Sequence, residues 1–330
     1  MQLTIVIPTF NAANFISETL TRVKGFATAE ILILDDGSTD DTIRVSKIIM
    51  NGHQNYGVFR LTHKGSPGQA RNLGLQLARG KWVWFLDCDD VPIVNNVDNV
   101  LEVAGELQST VCILGYLVRY DQGVVWGDSF DKNLFTKLCP SSYAIFSRWV
   151  LAPEIVRLSP HPSRNIYSRE FLISRGLVFD VDENFEDGSF WPKALFLADN
   201  ILLWNWPTTM YRVRNNSVTY SRELGRKLFL LTQFEKIFTE IGFRDSPFKN
   251  LWGATYLYGL EMISWPLSTL DSTMRAVYRK EARKVLDSVG GKWFVNSPTL
   301  NRKDRITIVK ALLRFNCKRL ALLCLIRVFR

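Results

Sequence analysis

The segment from Lys81 to Pro92, KWVWFLDCDDVP, constrains the chain more than any other. Trp82, Val83, Trp84, Phe85 and Leu86 form a short apolar run of aromatic and β-branched residues, the pattern of a strand buried on both faces. Asp87, Asp89 and Asp90 follow at once. In open α/β sheets, ligands gather outside the carboxyl ends of the strands, so these acids are placed to line a crevice. Two carboxylates about 4 Å apart repel by roughly 4 kcal/mol at an effective dielectric near 20. The cluster therefore has to be solvated, protonated or neutralised by a cation. A hard divalent metal that also grips phosphates is one answer; a turn of solvated aspartates is the other.

Upstream, the apolar run Leu3 to Ile7 reads as a buried strand ended by Pro8, and Glu30 to Leu34 and Gly57 to Leu61 read as a second and a third strand. The loop Thr9-Phe10-Asn11-Ala12-Ala13-Asn14 holds no glycine, whereas a dinucleotide fold presses its first loop against a pyrophosphate and needs GxGxxG there. A Rossmann dehydrogenase is disfavoured on that ground. Phe10 and Asn11 instead suit stacking on a base and hydrogen-bonding its edge. A helix from about Phe15 to Lys24 puts Phe15, Leu20 and Val23 towards the sheet. After the second strand, Ser38 with Asp41 reads as a helix cap and Gly37 as a turn. That leaves Asp35 and Asp36, where a carboxylate can accept the imide N–H of uracil or thymine. HKGSPGQARNLGLQLARG is a glycine-bearing loop and a helix whose Arg71 is either a ligand for phosphate or base, or part of a solvated face.

Of the net charge of +9, nine basic residues and one acid lie between Arg302 and Arg330, so the basicity belongs to the tail. Five scattered cysteines form no metal-ligand spacing and argue for reduced thiols and against zinc. The N-terminus reads as a first strand and not a signal peptide. No run approaches the eighteen or so apolar residues that span a bilayer.

TIVIPTFNA, then ILILDDGSTDDT, then GQARNLGLQLARGKWVWFLDCDD, in that order and at that spacing, resemble the N-terminal half of a family 2 glycosyltransferase. The resemblance implies an α/β, GT-A fold: a Rossmann-like, mixed but mainly parallel sheet flanked by helices, with a helical C-terminal segment. It divides the chain into a transferase domain over 1–220 and a helical region over 221–330, with a nucleotide-sugar half (1–100) and an acceptor half (101–220) in the first. It also implies that Pro8, Thr9, Phe10 and Asp36 surround the base of a sugar nucleotide, with Arg71 beside it or the phosphates. Asp87 then reaches ribose or the donor, and Asp89 binds Mn²⁺ or Mg²⁺. Asp90 either assists the metal or caps the next helix.

Leu101 to Tyr120 reads as a helix and a strand, 121–162 as loops that face an acceptor, and Tyr167 to Arg175 as helical. Glu186 and Asp187 stand where a helix begins, before the apolar face Phe190, Ala194, Leu195 and Leu197; the helix macrodipole alone favours acids there. Yet NIYSREFLISRGLVFDVDENFEDGSFWPKAL and TTMYRVRNNSVTYS are similar to bacterial cell-surface polysaccharide transferases of the same family, and this implies that Asp187 is the catalytic base. Arg212 and Arg214, two apart in a strand, share a face and either clamp a diphosphate or meet solvent. His161, between two prolines, is left unassigned: some relatives use His on the metal, and loop histidines are commonly structural.

Beyond Arg222 the chain reads as helices over about 223–241, 248–263, 272–288 and 303–329. In the last, Lys310, Arg314 and Lys318 form one stripe and Ile308, Leu312, Phe315, Leu322 and Ile326 another. Such a helix suits an anionic inner membrane surface, or packs on the body or a second subunit. No nucleic-acid module accompanies the charge. The expected function is inverting, metal-dependent transfer from a nucleoside diphosphate sugar, UDP-linked foremost, to a bacterial surface glycan such as lipopolysaccharide or capsule, at the cytoplasmic face of the membrane. Transfer to a polyprenyl phosphate, and a non-catalytic sugar-nucleotide sensor or scaffold, are the alternatives.

Overall fold

A mixed sheet of ten strands carries the first two thirds of the chain. The computed structural model describes residues 1–93, 97–120, 125–147, 152–181, 185–214, 223–240, 251–290, 297 and 300–328. In chain order the elements are β1 (Leu3–Thr9), α1 (Ile16–Val23), β2 (Glu30–Asp35), α2 (Thr42–Met50), β3 (Tyr56–Arg60), α3 (Pro67–Leu77), β4 (Trp82–Phe85), β5 (Val91–Pro92), α4 (Val97–Glu106) and β6 (Val111–Tyr120). Then come β7 (Val125–Asp128), α5 (Lys132–Leu138), β8 (Tyr143–Ser147), β9 (Asn165–Ser168), α6 (Arg169–Ser174), α7 (Asp187–Leu197) and β10 (Asn200–Val213). The sheet order is β3-β2-β1-β4-β9-β6-β10-β5, with β7 on β6 and β8 on β10. β1 to β4 are mutually parallel, β9 runs antiparallel between β4 and β6, and β10 lies parallel to β6.

Alternate residues of the strands feed opposite faces of the sheet. Ile5, Ile7, Ile31, Ile33 and Trp84 pack with Ile16, Leu20 and Val23 of α1 and with Val97, Val100 and Ala104 of α4. On the other face, Gly74 of α3 sits so close to Val6 that a Cβ there would lie 2.2 Å from Val6 Cγ1, so only glycine fits this approach. That contact sets α3 against β1 and brings Arg71 towards the strand ends.

Three expectations need correction. β1 does not stop at Pro8 but runs to Thr9. Val6 O accepts from Leu86 N on the β4 side, and the pleat turns Pro8 to that same side, where pairing has ended at Val6–Phe85. The missing N–H of Pro8 therefore breaks no ladder bond. Phe15 is only half-buried, and Thr19 joins Ile16, Leu20 and Val23 on the buried face of α1. Residues 165–168, read partly as helix, form β9, because pairing with both β4 and β6 overrides local propensity.

By contact the chain forms two compact units, one of residues 1–152, 158–190 and 197–214, the other of 153–157, 191–196 and 215–330. The second contains α8 (Leu224–Glu240), α9 (Trp252–Ser264), α10 (Pro266–Thr269), α11 (Ser272–Val289), α12 (Arg302–Arg314) and α13 (Lys318–Val328). The single terminal helix expected over 303–329 is thus two. Asn316, at φ 60, ends α12, with Cys317 N–H donating to Leu312 O and Asn316 N–H to Leu313 O, the left-handed cap that Asn tolerates. Ile308, Leu312 and Phe315 are buried, whereas Ile306, Leu313, Leu322 and Leu325 are exposed among Lys310, Arg314, Lys318 and Arg319. The Ile326 side chain lies outside the described residues. Among the described residues no helix is long and apolar enough to cross a membrane, and all five cysteines are free thiols.

Candidate active site

The loops at the carboxyl ends of β1 and β2 are joined by a hydrogen-bonded network. Pro8 and Thr9 are buried while the Phe10 ring is exposed. Asp35 accepts from Ser38 N–H at 3.0 Å and Thr9 Oγ1 at 3.4 Å, so this acid fastens the turn. Asp36, buried beside it, accepts from Lys64 N–H at 2.9 Å on Oδ1 and from Gly65 N–H at 3.0 Å and His63 Nδ1 at 2.9 Å on Oδ2. Asn11 Oδ1 accepts from Thr39 N–H at 2.9 Å and so ties the first loop to the second. Ser38 does not cap α2 either, because its Oγ accepts from Asn11 N–H at 2.8 Å. Asp40 Oδ1 instead takes the Thr42 N–H of the first turn, at 3.0 Å.

At the end of β4 each aspartate has a different partner. Asp87 N–H donates to Ser163 Oγ at 3.0 Å, and its Oδ1 accepts from Arg71 Nη2 at 2.6 Å. Asp89 pairs with the Arg214 guanidinium, whose Cζ lies 4.4 Å from the centre of the Phe15 ring. Burial raises the Asp89 pKa, Arg214 opposes that, and Asp87 adds to it. Asp90 is fully buried; its Oδ1 accepts from Arg212 N–H at 3.0 Å and its Oδ2 has no hydrogen-bond partner. Burial, then the charges of Asp89 and Asp87, holds its carboxyl well above the usual carboxylate range. Asp90 thus fastens β10 beneath the acidic cluster.

Arg212, in β10, and Arg214, just beyond its end, both set their guanidiniums over the Phe15 ring, yet they do different work. Arg212 donates through Nε to Asp89 O at 3.0 Å and pairs with Glu18, which also takes Arg119 Nη1 at 2.6 Å. Arg212 therefore ties β10 to α1 and to the β4 end, while the Arg214 side chain pairs with the Asp89 carboxylate.

Arg71 is buried at 2% exposure, so the solvated-face reading fails. Besides Asp87 it pairs with Glu186, itself 4% exposed, and its Cζ stands 5.4 Å from the centre of the Phe179 ring. Glu186 immediately precedes α7, and Asp187 is that helix's first residue. Phe190, one turn on, stacks on Phe179 with ring centres 3.9 Å apart, anchoring the start of α7 beside Arg71. Burial raises the Asp187 pKa; Arg71 lowers it and Asp87 raises it again. The fold thus gathers Arg71, Asp87, Glu186 and Asp187 from α3, β4 and the start of α7 into one electrostatic site.

His161 takes no part in the acidic cluster. Its ring lies edge-on to Tyr116 at 4.4 Å and 5.0 Å from Tyr211, with both nitrogens buried and unpartnered. Burial pushes its pKa down to about 3, so the imidazole is neutral. Glu18, His63 and Ser163 escaped the sequence reading. Nothing in the residues around Glu18 or Ser163 marks them, and only the glycine-rich loop beside His63 gave a signal.

Among the described residues, no group of three or more His, Cys, Asp or Glu side chains is placed to hold a metal ion. Asp89 nevertheless fits a cation whose shell is completed by phosphate oxygens. Its carboxylate is paired with a guanidinium, so exchange of one cation for another leaves it paired.

Residues 4–149 match the model of glycosyl transferase family 2. The glycosyltransferase GlyG of Streptococcus pneumoniae is 25% identical over 227 residues, 66% of this chain and 72% of that protein. The poly(ribitol-phosphate) β-N-acetylglucosaminyltransferase TarS of Staphylococcus aureus is 27% identical over 207 residues, 61% of this chain and 34% of that one. Residues 1–349 of TarS in complex with UDP superpose with a TM-score of 0.73 at 17% identity, over 97% of this chain and 90% of that one. A Pyrobaculum calidifontis mannosyltransferase in complex with GDP-Man and Mn²⁺ gives 0.55 at 16% identity, over 99% and 85%. Sheet order and structural likeness define the GT-A fold, and the family match with the sequence relatives marks a glycosyltransferase. Residues 4–149 thus carry a glycosyl transferase family 2 domain.

Proposed function

We propose that the protein transfers a sugar, with inversion, from a nucleoside diphosphate donor to a bacterial surface glycan, and that the donor is UDP-linked. The observation that carries the reading is the Arg71 bridge: one buried guanidinium joins Asp87 at the β4 end to Glu186 beside Asp187. It sets a cation suited to a diphosphate next to a carboxylate suited to an acceptor hydroxyl. The relative TarS is named for N-acetylglucosamine transfer to poly(ribitol-phosphate) and has been solved with UDP and with UDP-GlcNAc, which supports both the donor and the acceptor class.

In the proposed reaction the acceptor oxygen attacks the anomeric carbon as its proton passes to the Asp187 carboxylate. The new C–O bond forms on the face opposite the leaving group, and the bond to the diphosphate breaks with its electron pair. A raised pKa makes Asp187 a stronger base than a free aspartate. Arg71 and Arg214 offer guanidinium forks to the departing diphosphate. A divalent cation held by Asp89 and the donor's phosphates would supply Lewis-acid stabilisation of that leaving group.

The reading is tested by thermal shift of the full chain with UDP-, GDP- and CDP-sugars, with and without Mn²⁺. A ligand at 100 times its Kd adds about 2.7 kcal/mol to stability, which raises the melting temperature by roughly 5 to 10 °C. The largest rise is expected for a UDP-sugar with Mn²⁺; no rise with any nucleotide contradicts the proposal.

The proposal places the enzyme at the inner membrane face, where a lipid-linked acceptor is assembled. Support comes from the exposed leucines that alternate with Lys310, Arg314, Lys318 and Arg319, each cation adding about 1 kcal/mol near anionic lipid. Replacing these four by Glu is expected to abolish cosedimentation with phosphatidylglycerol vesicles; cosedimentation equal to the parent's contradicts it.

A further inference from the structure

Phe10 is 44% exposed, and its ring is stacked against an imidazole. The imidazole of His63 lies over it, ring centres 4.2 Å apart and planes within 16°. The same imidazole presents Nδ1 to two acceptors, Asp36 Oδ2 at 2.9 Å and the Asp36 backbone oxygen at 2.8 Å. An acceptor on each contact means that Nδ1 carries the hydrogen. His63 thus gives one flat face to Phe10 and one N–H to Asp36. Those are the two contacts that a uracil ring would make there, through its face and its N3–H.

We infer that His63 holds the base's place in the nucleotide-free protein, and that the base of the donor displaces it. The inference rests on the proposed reading of Phe10 and Asp36 as the base site. Two features make the exchange local. Nearly half of the His63 side chain is already in solvent, 48% by area, so the ring can swing outward without leaving a core. The N–H groups of Lys64 and Gly65 keep their own bonds to the Asp36 carboxylate, so the loop backbone stays and the carboxylate remains held. The chemistry of the displaced group also defines the base that replaces it. It must offer a planar ring and an N–H on its pairing edge, as uracil does; cytosine, with a bare N3, would set an acceptor against Asp36.

The chain has three histidines, so ring signals of the histidine-labelled, full-length protein can be resolved by NMR and that of His63 assigned with His63→Gln. In the free protein the His63 ring protons are expected upfield, under the Phe10 ring current. Saturating UDP with Mn²⁺ should move them to the position of an exposed histidine while the His53 and His161 signals report an intact fold. By calorimetry, His63→Ala should bind UDP up to roughly tenfold more tightly than the parent, the worth of one hydrogen bond lost without penalty. A His63 signal that keeps its upfield position while UDP binds overturns the inference. So does UDP binding by His63→Ala that is no tighter than the parent's. A parent that binds no UDP sinks the inference together with the donor reading.

Discussion

Asp187→Asn is expected to lose sugar transfer by about 10² to 10⁴-fold, the usual worth of a general base, with UDP affinity unchanged. In barrier terms that is roughly 3 to 5 kcal/mol. The amide keeps the shape of the side chain and removes only the site that takes the proton. Burial and Asp87 raise the Asp187 pKa against the pull of Arg71, and the proposed base would work only when ionised. The parent's kcat should therefore fall with decreasing pH at a point above that of an ordinary aspartate, and the variant should lack this limb. Transfer by Asp187→Asn at the parental rate would exclude it as the base.

The second large effect is on stability. Arg71→Met leaves Glu186, at 4% exposure, and the Asp87 carboxylate without their shared cation. Breaking a buried ion pair by removing one partner costs about 3 to 5 kcal/mol, because the other charge stays buried and uncompensated. The melting temperature should drop by on the order of 10 °C. Arg71→Met/Glu186→Gln should recover part of the loss, since a neutral amide replaces the stranded charge; a double-mutant cycle measures that coupling. A melting temperature equal to the parent's in Arg71→Met would show that the bridge is not a support of the site.

Where a strand is buried on both faces its apolar run announces it, and so β1, β2 and β4 could be read within a residue or two. β9 could not, because Asn165, Ile166 and Tyr167 owe their extended form to neighbours distant in sequence, β4 and β6. The break between α12 and α13 was legible in principle, as Asn316 is the residue type that takes the left-handed cap. At the site, carboxylates at strand ends stand out in the sequence, but their counter-ions do not. Arg71 reads equally well as solvated until α3 is seen pressed onto β1 through Gly74. Only the return of β10 beside β6 decides that Arg214 meets Asp89 while Arg212 meets Glu18. Ion pairs across more than a hundred residues depend on tertiary register, which no local pattern encodes.

Calorimetric titration of UDP into the parent and into Asp89→Ala, with Mn²⁺ and again with EDTA, bears most directly on whether the β4 end shares a cation with a diphosphate. The parent should bind tightly with Mn²⁺ and lose most of that affinity to the chelator. Asp89→Ala should retain only weak binding through its unpaired Arg214, with no response to EDTA. Equal affinity in the two proteins, with the same response to EDTA, would contradict the account.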